Sequence, residues 1–292
     1  MQYGFSIKRK CYLLSVLLMT VWLTGCVQEE FESTPSPAGN GIRFTLTVPD
    51  VNLPSVSSRT MTGTGTAKKE DEIETVDILV FDMSKTPAVF LEWVSATGVT
   101  QDLADNSTVS FSAVLSPTTA STCIVVVANK ELDNIVSGFT KGATTKVEAM
   151  EKMLHTQTGK WLADGSTTGG YTRIPMYGEK VISKITPSMN PITEINMKRM
   201  LARIDIRNNS VTSNFMVEEV YLANYNTTGY IAPAWNTNGQ VTEPAPDTPV
   251  LPTGSGKMTE EGNAILYSVN GNTPYDGEIY TFESLAAGDA GG

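Results

Sequence analysis

Residues 42–48 read Ile-Arg-Phe-Thr-Leu-Thr-Val, IRFTLTV. Ile42, Phe44, Leu46 and Val48 take every second position, and Arg43, Thr45 and Thr47 fill the gaps. Successive side chains of a strand point to opposite faces. This alternation therefore predicts a strand with one face in a core and the other toward water. Residues 88–94 (AVFLEWV) and 108–115 (TVSFSAVL) share its β-branched and aromatic bias. Residues 74–82 (ETVDILVFD) and 122–128 (TCIVVVA) contain unbroken apolar runs. Such runs predict central strands covered on both faces. Further strands are expected over 196–207 (NMKRMLARIDIR), 216–224 (MVEEVYLAN), 264–269 (AILYSV) and 278–282 (EIYTF). Arg203 falls inside the first of these and is expected to point outward as a charge on a two-faced sheet.

One segment has a helical period. In residues 145–155 (TKVEAMEKMLH), Val147, Met150 and Leu154 fall on one helical face. Thr145 and Glu148 have capping-box spacing at its start. His155 stands near its end, where a helix dipole favours positive charge. Many short strands with a short helix predict a mainly β protein built of β-sandwiches. Residues 183–193 (SKITPSMNPIT) are polar and carry two prolines, so a boundary is expected near Thr193. It separates a first domain, 42–193, from a second, 194–292.

The front of the chain has a different character. Lys8, Arg9 and Lys10 precede an apolar run over 12–23, interrupted only by Ser15 and Thr20. About a dozen apolar residues are too few for a membrane-spanning helix, which needs about 20. A basic start, a short apolar core and a small-residue exit describe a secretory signal peptide, here residues 1–25. The exit, Leu23-Thr24-Gly25-Cys26, resembles the lipobox of bacterial lipoproteins. That resemblance implies cleavage between Gly25 and Cys26, lipid on Cys26 and anchorage in the outer membrane. Several acyl chains anchor stably where one does not. Glu29, Glu30 and Glu32 resemble a surface-export tag of some Gram-negative lipoproteins; a solvated tether reads equally well. Residues 26–41 end in FESTPSPAGNG, a Pro/Ser/Gly segment unable to build a core.

Composition narrows the chemistry. Loss of residues 1–25 leaves 18 Lys and Arg against 31 Asp and Glu, a net charge of −13. Nucleic-acid binding needs the opposite sign. Of three cysteines, Cys11 leaves with the signal peptide and Cys26 takes lipid. Cys123 remains alone, so no internal disulfide forms, and its apolar run marks it as a core thiol. His155 is the sole histidine, and any catalytic triad or ordinary zinc site would have to use it. Glycine patterns that cradle phosphate are missing, and "GTGT" at 63–66 reads as a loop. Glu70, Asp71, Glu72 and Glu74 match no calcium loop; they read as a solvated turn. No cofactor, metal or enzymatic activity is expected.

These features occur in a recognisable order. The lipobox precedes a tether, an amphipathic strand, Arg59 in SVSSRTMTGTGT, the acidic turn, VDILVFD, VVVANK and MKRMLARIDI. The order resembles that of the fimbrillins, the type V pilins of Gram-negative anaerobes. The resemblance implies two tandem transthyretin-like β-sandwiches and a structural role in a surface fimbria that supports adhesion. It also implies assembly partners. An arginine-specific protease removes the lipidated segment with its first strand, and a strand from another pilin subunit fills the groove. Arg43 lies within the strand, whereas Arg59 lies beyond it among small polar residues. A cut between Arg59 and Thr60 would free Ile42, Phe44, Leu46 and Val48 together; otherwise Arg59 is a surface charge. The chain ends SLAAGDAGG soon after EIYTF, so the second sandwich reads as incomplete. The alternative is a surface lipoprotein that binds glycans. Trp93 sits in a strand, but Trp161 and Trp235 fall in loops from which aromatic rings can stack on sugars.

Overall fold

The computed structural model describes residues 42–48, 70–101, 108–162, 172–206, 219–243, 249–253, 257–258, 264–268 and 277–284. The protein is mainly β. The first nine strands are β1 (Ile42–Thr47), β2 (Val76–Asp82), β3 (Val89–Ser95), β4 (Thr97–Gln101), β5 (Thr108–Ala113), β6 (Thr122–Ala128), β7 (Leu154–Thr156), β8 (Met176–Ile182) and β9 (Ile192–Asn196). After them come β10 (Lys198–Arg199), β11 (Ala202–Ile206), β12 (Glu219–Leu222), β13 (Tyr225–Asn226), β14 (Thr228–Tyr230), β15 (Lys257–Met258), β16 (Ile265–Ser268) and β17 (Gly277–Thr281). Two helices, α1 (Asp133–Val136) and α2 (Lys146–Lys152), lie between β6 and β7. Among the described residues no helix is long and apolar enough to cross a membrane.

Two sheets face each other. One has the order β4-β5-β1-β9 and the other β10-β8-β6-β2-β3. They are joined where strands switch sheets. Between β3 and β4, the Ala96 N–H donates to the Val76 carbonyl; between β9 and β10, the Met197 N–H donates to the Thr47 carbonyl. The second switch needs close approach. A side chain at Gly178 of β8 would put its Cβ 2.7 Å from Met197 Sδ and 2.9 Å from Ile195 Cγ2, so anything larger than glycine would have to push these neighbours aside.

The apolar runs now have a physical reason. Ile78, Val80, Ile124 and Val126 face the inter-sheet core with Ile42, Phe44, Leu46, Val48, Val109 and Phe111. Leu79, Phe81, Cys123, Val125 and Val127 point the other way, into a second core. Helix α2 covers that face with Ala149 and Met150. The expected capping box is present, the Thr145 hydroxyl accepting from the Glu148 N–H. The helix ends one turn earlier than its pattern predicts. His155 therefore lies in β7, paired with Gly229 of β14, and meets no helix terminus.

The expected strand over 196–207 is broken. Met200 turns into the second core and its N–H donates to the Pro175 carbonyl. Before this break β10 joins the five-stranded sheet, and after it β11 pairs with β17. The expected boundary near Thr193 falls inside β9. The second core also takes Ile231, Tyr280 and Phe282 from beyond that boundary. The remaining strands form two-stranded ladders, β12 with β16, β13 with β15 and β14 with β7. Tyr225, Ile265 and Ile279 make a third, small cluster.

Candidate functional site: a first strand held in a slot

Strand β1 is an interior strand. On one side it runs antiparallel to β5, from Ile42 opposite Ala113 to Thr47 opposite Thr108. On the other it runs parallel to β9, with Phe44 opposite Ile192 and Leu46 opposite Ile195. Strand β1 thus fills a slot between two strands that no other pairing among the described residues joins. Ile42, Phe44, Leu46 and Val48 are all buried, Leu46 and Val48 completely. Arg43 and Thr45 are half-buried and Thr47 is exposed on the other face. The Phe44 ring stacks on Phe111 of β5 at 5.0 Å.

The wall formed by β9 escaped the sequence pattern because its period is broken. A bulge lies between the Phe44 and Leu46 pairings, and Glu194 adopts a left-handed φ of 61°. The extra residue puts Ile192 and Ile195 on the same buried face although they are three apart.

Gly25, Cys26, Arg59 and Thr60 lie outside the described residues, as do the signal peptide, the tether, the loop at 63–66 and residues 285–292. Arg43 lies within β1, where its backbone is part of the ladder.

Two expectations about charge need correction. Arg203 does not point outward. Its guanidinium Nη1 donates to Glu70 Oε1 at 2.5 Å, and both side chains are largely withdrawn from water, 16% and 5% exposed. The acidic turn is not simply solvated either. Tyr280 also donates to Glu70, and Arg173 pairs with Glu72 at 3.1 Å and Glu74 at 2.7 Å.

A second buried charge gave no sequence signal. Lys146 of α2 donates to Glu179 of β8 and to the Gly239 carbonyl, each at 2.6 Å. Tyr177 donates to the same Glu179 oxygen, and burial holds the phenol pKa well above its usual value. Cys123 lies buried nearby, its thiol pushed up to about 12, chiefly by burial. A thiol so protonated is no nucleophile.

The single histidine packs among apolar rings. Its centroid is 4.9 Å from Trp161 and 6.4 Å from Phe282, and Nδ1 has no hydrogen-bond partner among the described residues. Burial, then the charge of Lys130, pushes its pKa down to about 4. Trp161 is not an exposed loop aromatic: it is buried and its indole donates to the Thr172 carbonyl at 2.9 Å. Trp235 is half-buried with Tyr230 edge-on at 4.9 Å, and Trp93 packs against the second core. A recess of about 240 Å³ is lined by Asp82, Leu91, Glu92, Ser116, Thr118 and Lys141, among others. Both carboxylates are already engaged: Glu92 accepts from the Ser116 N–H and hydroxyl at 2.7 and 2.6 Å, and Asp82 accepts from the Ser84 N–H at 2.8 Å. No group of three or more metal-ligating side chains occurs among the described residues.

A sequence profile of the family described as major fimbrial subunit protein (FimA) matches residues 42–248, more than two thirds of the chain. Its first matched residue is the first residue of β1. No curated protein matches the chain. Similar solved structures include a candidate cell adhesion protein from Parabacteroides distasonis, 16% identical with a TM-score of 0.45, over 86% of this chain and 73% of that one. A fimbrial assembly protein from the same species is 12% identical with a TM-score of 0.39, over 82% and 85%. A candidate adhesin from Bacteroides thetaiotaomicron is 10% identical with a TM-score of 0.37, over 87% and 75%.

Proposed function

This chain belongs to the major fimbrial subunit protein (FimA) family, and we propose that it is built into a surface pilus by exchange of its first strand. The family is one of structural subunits, not enzymes, and its members polymerise with one another. In the proposed sequence the precursor is exported as a lipoprotein, cut between Gly25 and Cys26 and lipidated on Cys26 in the outer membrane. An arginine-specific protease then cuts between Arg59 and Thr60. β1 leaves, and an extended segment of another subunit takes its place, giving a polymer that supports adhesion.

The observation that carries this reading is the position of β1 between β5 and β9. Burial of a large apolar side chain contributes about 1.5–3 kcal/mol, so the four inward residues together contribute about 6–12 kcal/mol. A whole domain has a net stability of about 5–15 kcal/mol. An emptied slot is therefore a strong acceptor. It offers two rows of unpaired backbone groups and pockets for alternate side chains, the elements of strand addition. Of the described tryptophans, Trp161 is buried and Trp93 and Trp235 are half-buried, so none of the three offers the glycan-binding alternative a fully exposed ring.

The test is intact-mass analysis and N-terminal sequencing of the surface protein before and after treatment with an arginine-specific protease. A precursor blocked at Cys26, converted to a chain that starts at Thr60 and oligomerises, supports the reading. A chain that stays uncut at Arg59, or is cut and remains monomeric, removes it.

A further inference from the structure

The five residues 70–74, which lead into β2, are held from six places in the fold. The Glu70 carboxylate accepts from Arg203 of β11 and Tyr280 of β17, each at 2.5 Å, and its carbonyl accepts from Arg199 Nε of β10 at 3.1 Å. Gln101 at the end of β4 donates to the Asp71 carbonyl at 2.7 Å and accepts from the Ile73 N–H at 3.0 Å. Asn129 lies just after β6 and adopts a left-handed φ of 59°. Its amide donates to the Glu72 carbonyl at 2.7 Å and accepts from the Glu74 N–H at 3.0 Å. Arg173 supplies the ion pairs to Glu72 and Glu74. None of these side chains comes from β1, or from the strands β5 and β9 that flank it.

That distribution has a mechanical consequence. Withdrawing β1 removes Ile42, Phe44, Leu46 and Val48 from the core that holds the Ile73 side chain, but breaks none of these polar bonds. We propose that Glu70 is the positioning residue of a fixed anchor. It seats Arg203 and Tyr280 so that the chain from Glu70 onward stays in place when β1 departs. The same bonds close the anchor's own arginines to the protease that acts upstream. This inference rests on the strand-exchange reading of the function. To cut at an arginine, a protease must draw the guanidinium into its own pocket and extend the backbone around it. At Arg203 this would strip a buried carboxylate of its charged partner, which costs far more than engaging a surface arginine. One residue type thus serves in two ways, at Arg59 as the point of cutting and at Arg199 and Arg203 as a bound partner of Glu70.

The experiment is a time course of the full chain with an arginine-specific protease, read by mass spectrometry bond by bond. The chains compared are the native protein, Glu70→Gln and Tyr280→Phe. Glu70→Gln keeps the shape of the side chain and removes its charge; Tyr280→Phe removes one hydroxyl and leaves the ion pair. The expected native result is cutting after Arg59 with the bonds after Arg199 and Arg203 intact. Glu70→Gln should raise the rate after Arg203 at least tenfold and Tyr280→Phe by less, with the Arg59 rate unchanged. Native cutting after Arg203 as fast as after Arg59, or no acceleration in Glu70→Gln, overturns the anchor and leaves the strand-exchange reading standing. Absence of cutting after Arg59 in the native chain instead removes the strand-exchange reading, and the anchor's role with it.

Discussion

The ring of Phe44 lies 5.0 Å from that of Phe111 and within 5° of parallel, with both side chains buried. The pair joins β1 to β5, one wall of the slot, at directly opposite positions. Phe44→Ala should destabilise the protein by about 3–5 kcal/mol, the usual cost of a phenylalanine-sized cavity. Phe44→Leu should cost less because it refills part of that space. Urea unfolding of the three proteins checks this. A Phe44→Ala loss below about 1 kcal/mol, far under the usual range, would mean that β1 contributes little to the folded state. The strand would then be a poor measure of what a replacement must supply.

Lys146 and Glu179 form the other buried pairing with a clear consequence. Lys146→Met leaves the Glu179 carboxylate with Tyr177 as its remaining described donor. Removing one partner of a buried pair costs about 3–5 kcal/mol, whereas replacing both by apolar groups is often near neutral. Glu179 keeps some exposure, so the single substitution should fall near the lower figure. The double variant Lys146→Met/Glu179→Met should be more stable than Lys146→Met alone. Chemical denaturation of both singles and the double closes the cycle; a double variant less stable than either single would contradict the account.

How much of this was readable beforehand depended on where the compensating group sits. β1, β2 and β6 were legible because their reason is local: alternation for a strand with one buried face, an unbroken apolar run for a strand with two. The Thr145–Glu148 capping box was legible for the same reason. β8 was not, since MYGEKVI holds a glycine and two charges. Gly178 is needed by Met197 and Ile195, and Glu179 is neutralised by Lys146, 33 residues away. Arg203 looked solvent-facing because its partner, Glu70, is 133 residues upstream. Trp161 looked like a loop aromatic because the rings that cover it, His155 and Phe282, lie before and far after it.

His155 should make the fold sensitive to acid. Burial first, and the Lys130 charge second, lowers its folded pKa to about 4 from a usual 6.5. Above pH 6.5 the ring is neutral in both states and its packing is fully available. Between pH 6.5 and 4 the unfolded chain binds a proton that the folded chain refuses, so stability is lost as pH falls. Asp77 works in the opposite sense, because burial raises its pKa and acid favours its folded, protonated form. Comparing native protein with His155→Phe separates the two. The fall in Tm between pH 7.5 and 4.5 should be smaller in the variant, whose ring still packs on Trp161 and Phe282. Equal falls in both proteins would show that other groups set the acid response.

The glycine of β8 should control the width of the slot. A methyl group at position 178 meets Met197 Sδ at 2.7 Å, Ile195 Cγ2 at 2.9 Å and the Asn196 carbonyl at 3.0 Å. Two of these belong to β9, the parallel wall that holds β1. Gly178→Ala therefore has to push that wall outward or twist β8. Overpacking of this kind costs about 1–3 kcal/mol. The damage should be directional: amide exchange should rise first in residues 192–197 and 44–47, while the β2–β6 ladder on the far side of β8 keeps its protection. Trimming the obstacle tests the cause. Met197→Ala clears the flexible Sδ contact but not the Asn196 carbonyl, so the double variant Gly178→Ala/Met197→Ala should regain part of the protection and not all of it. Loss of protection spread evenly over both sheets, or no loss in Gly178→Ala, would show that the crossing of β8 and β9 does not gate the slot.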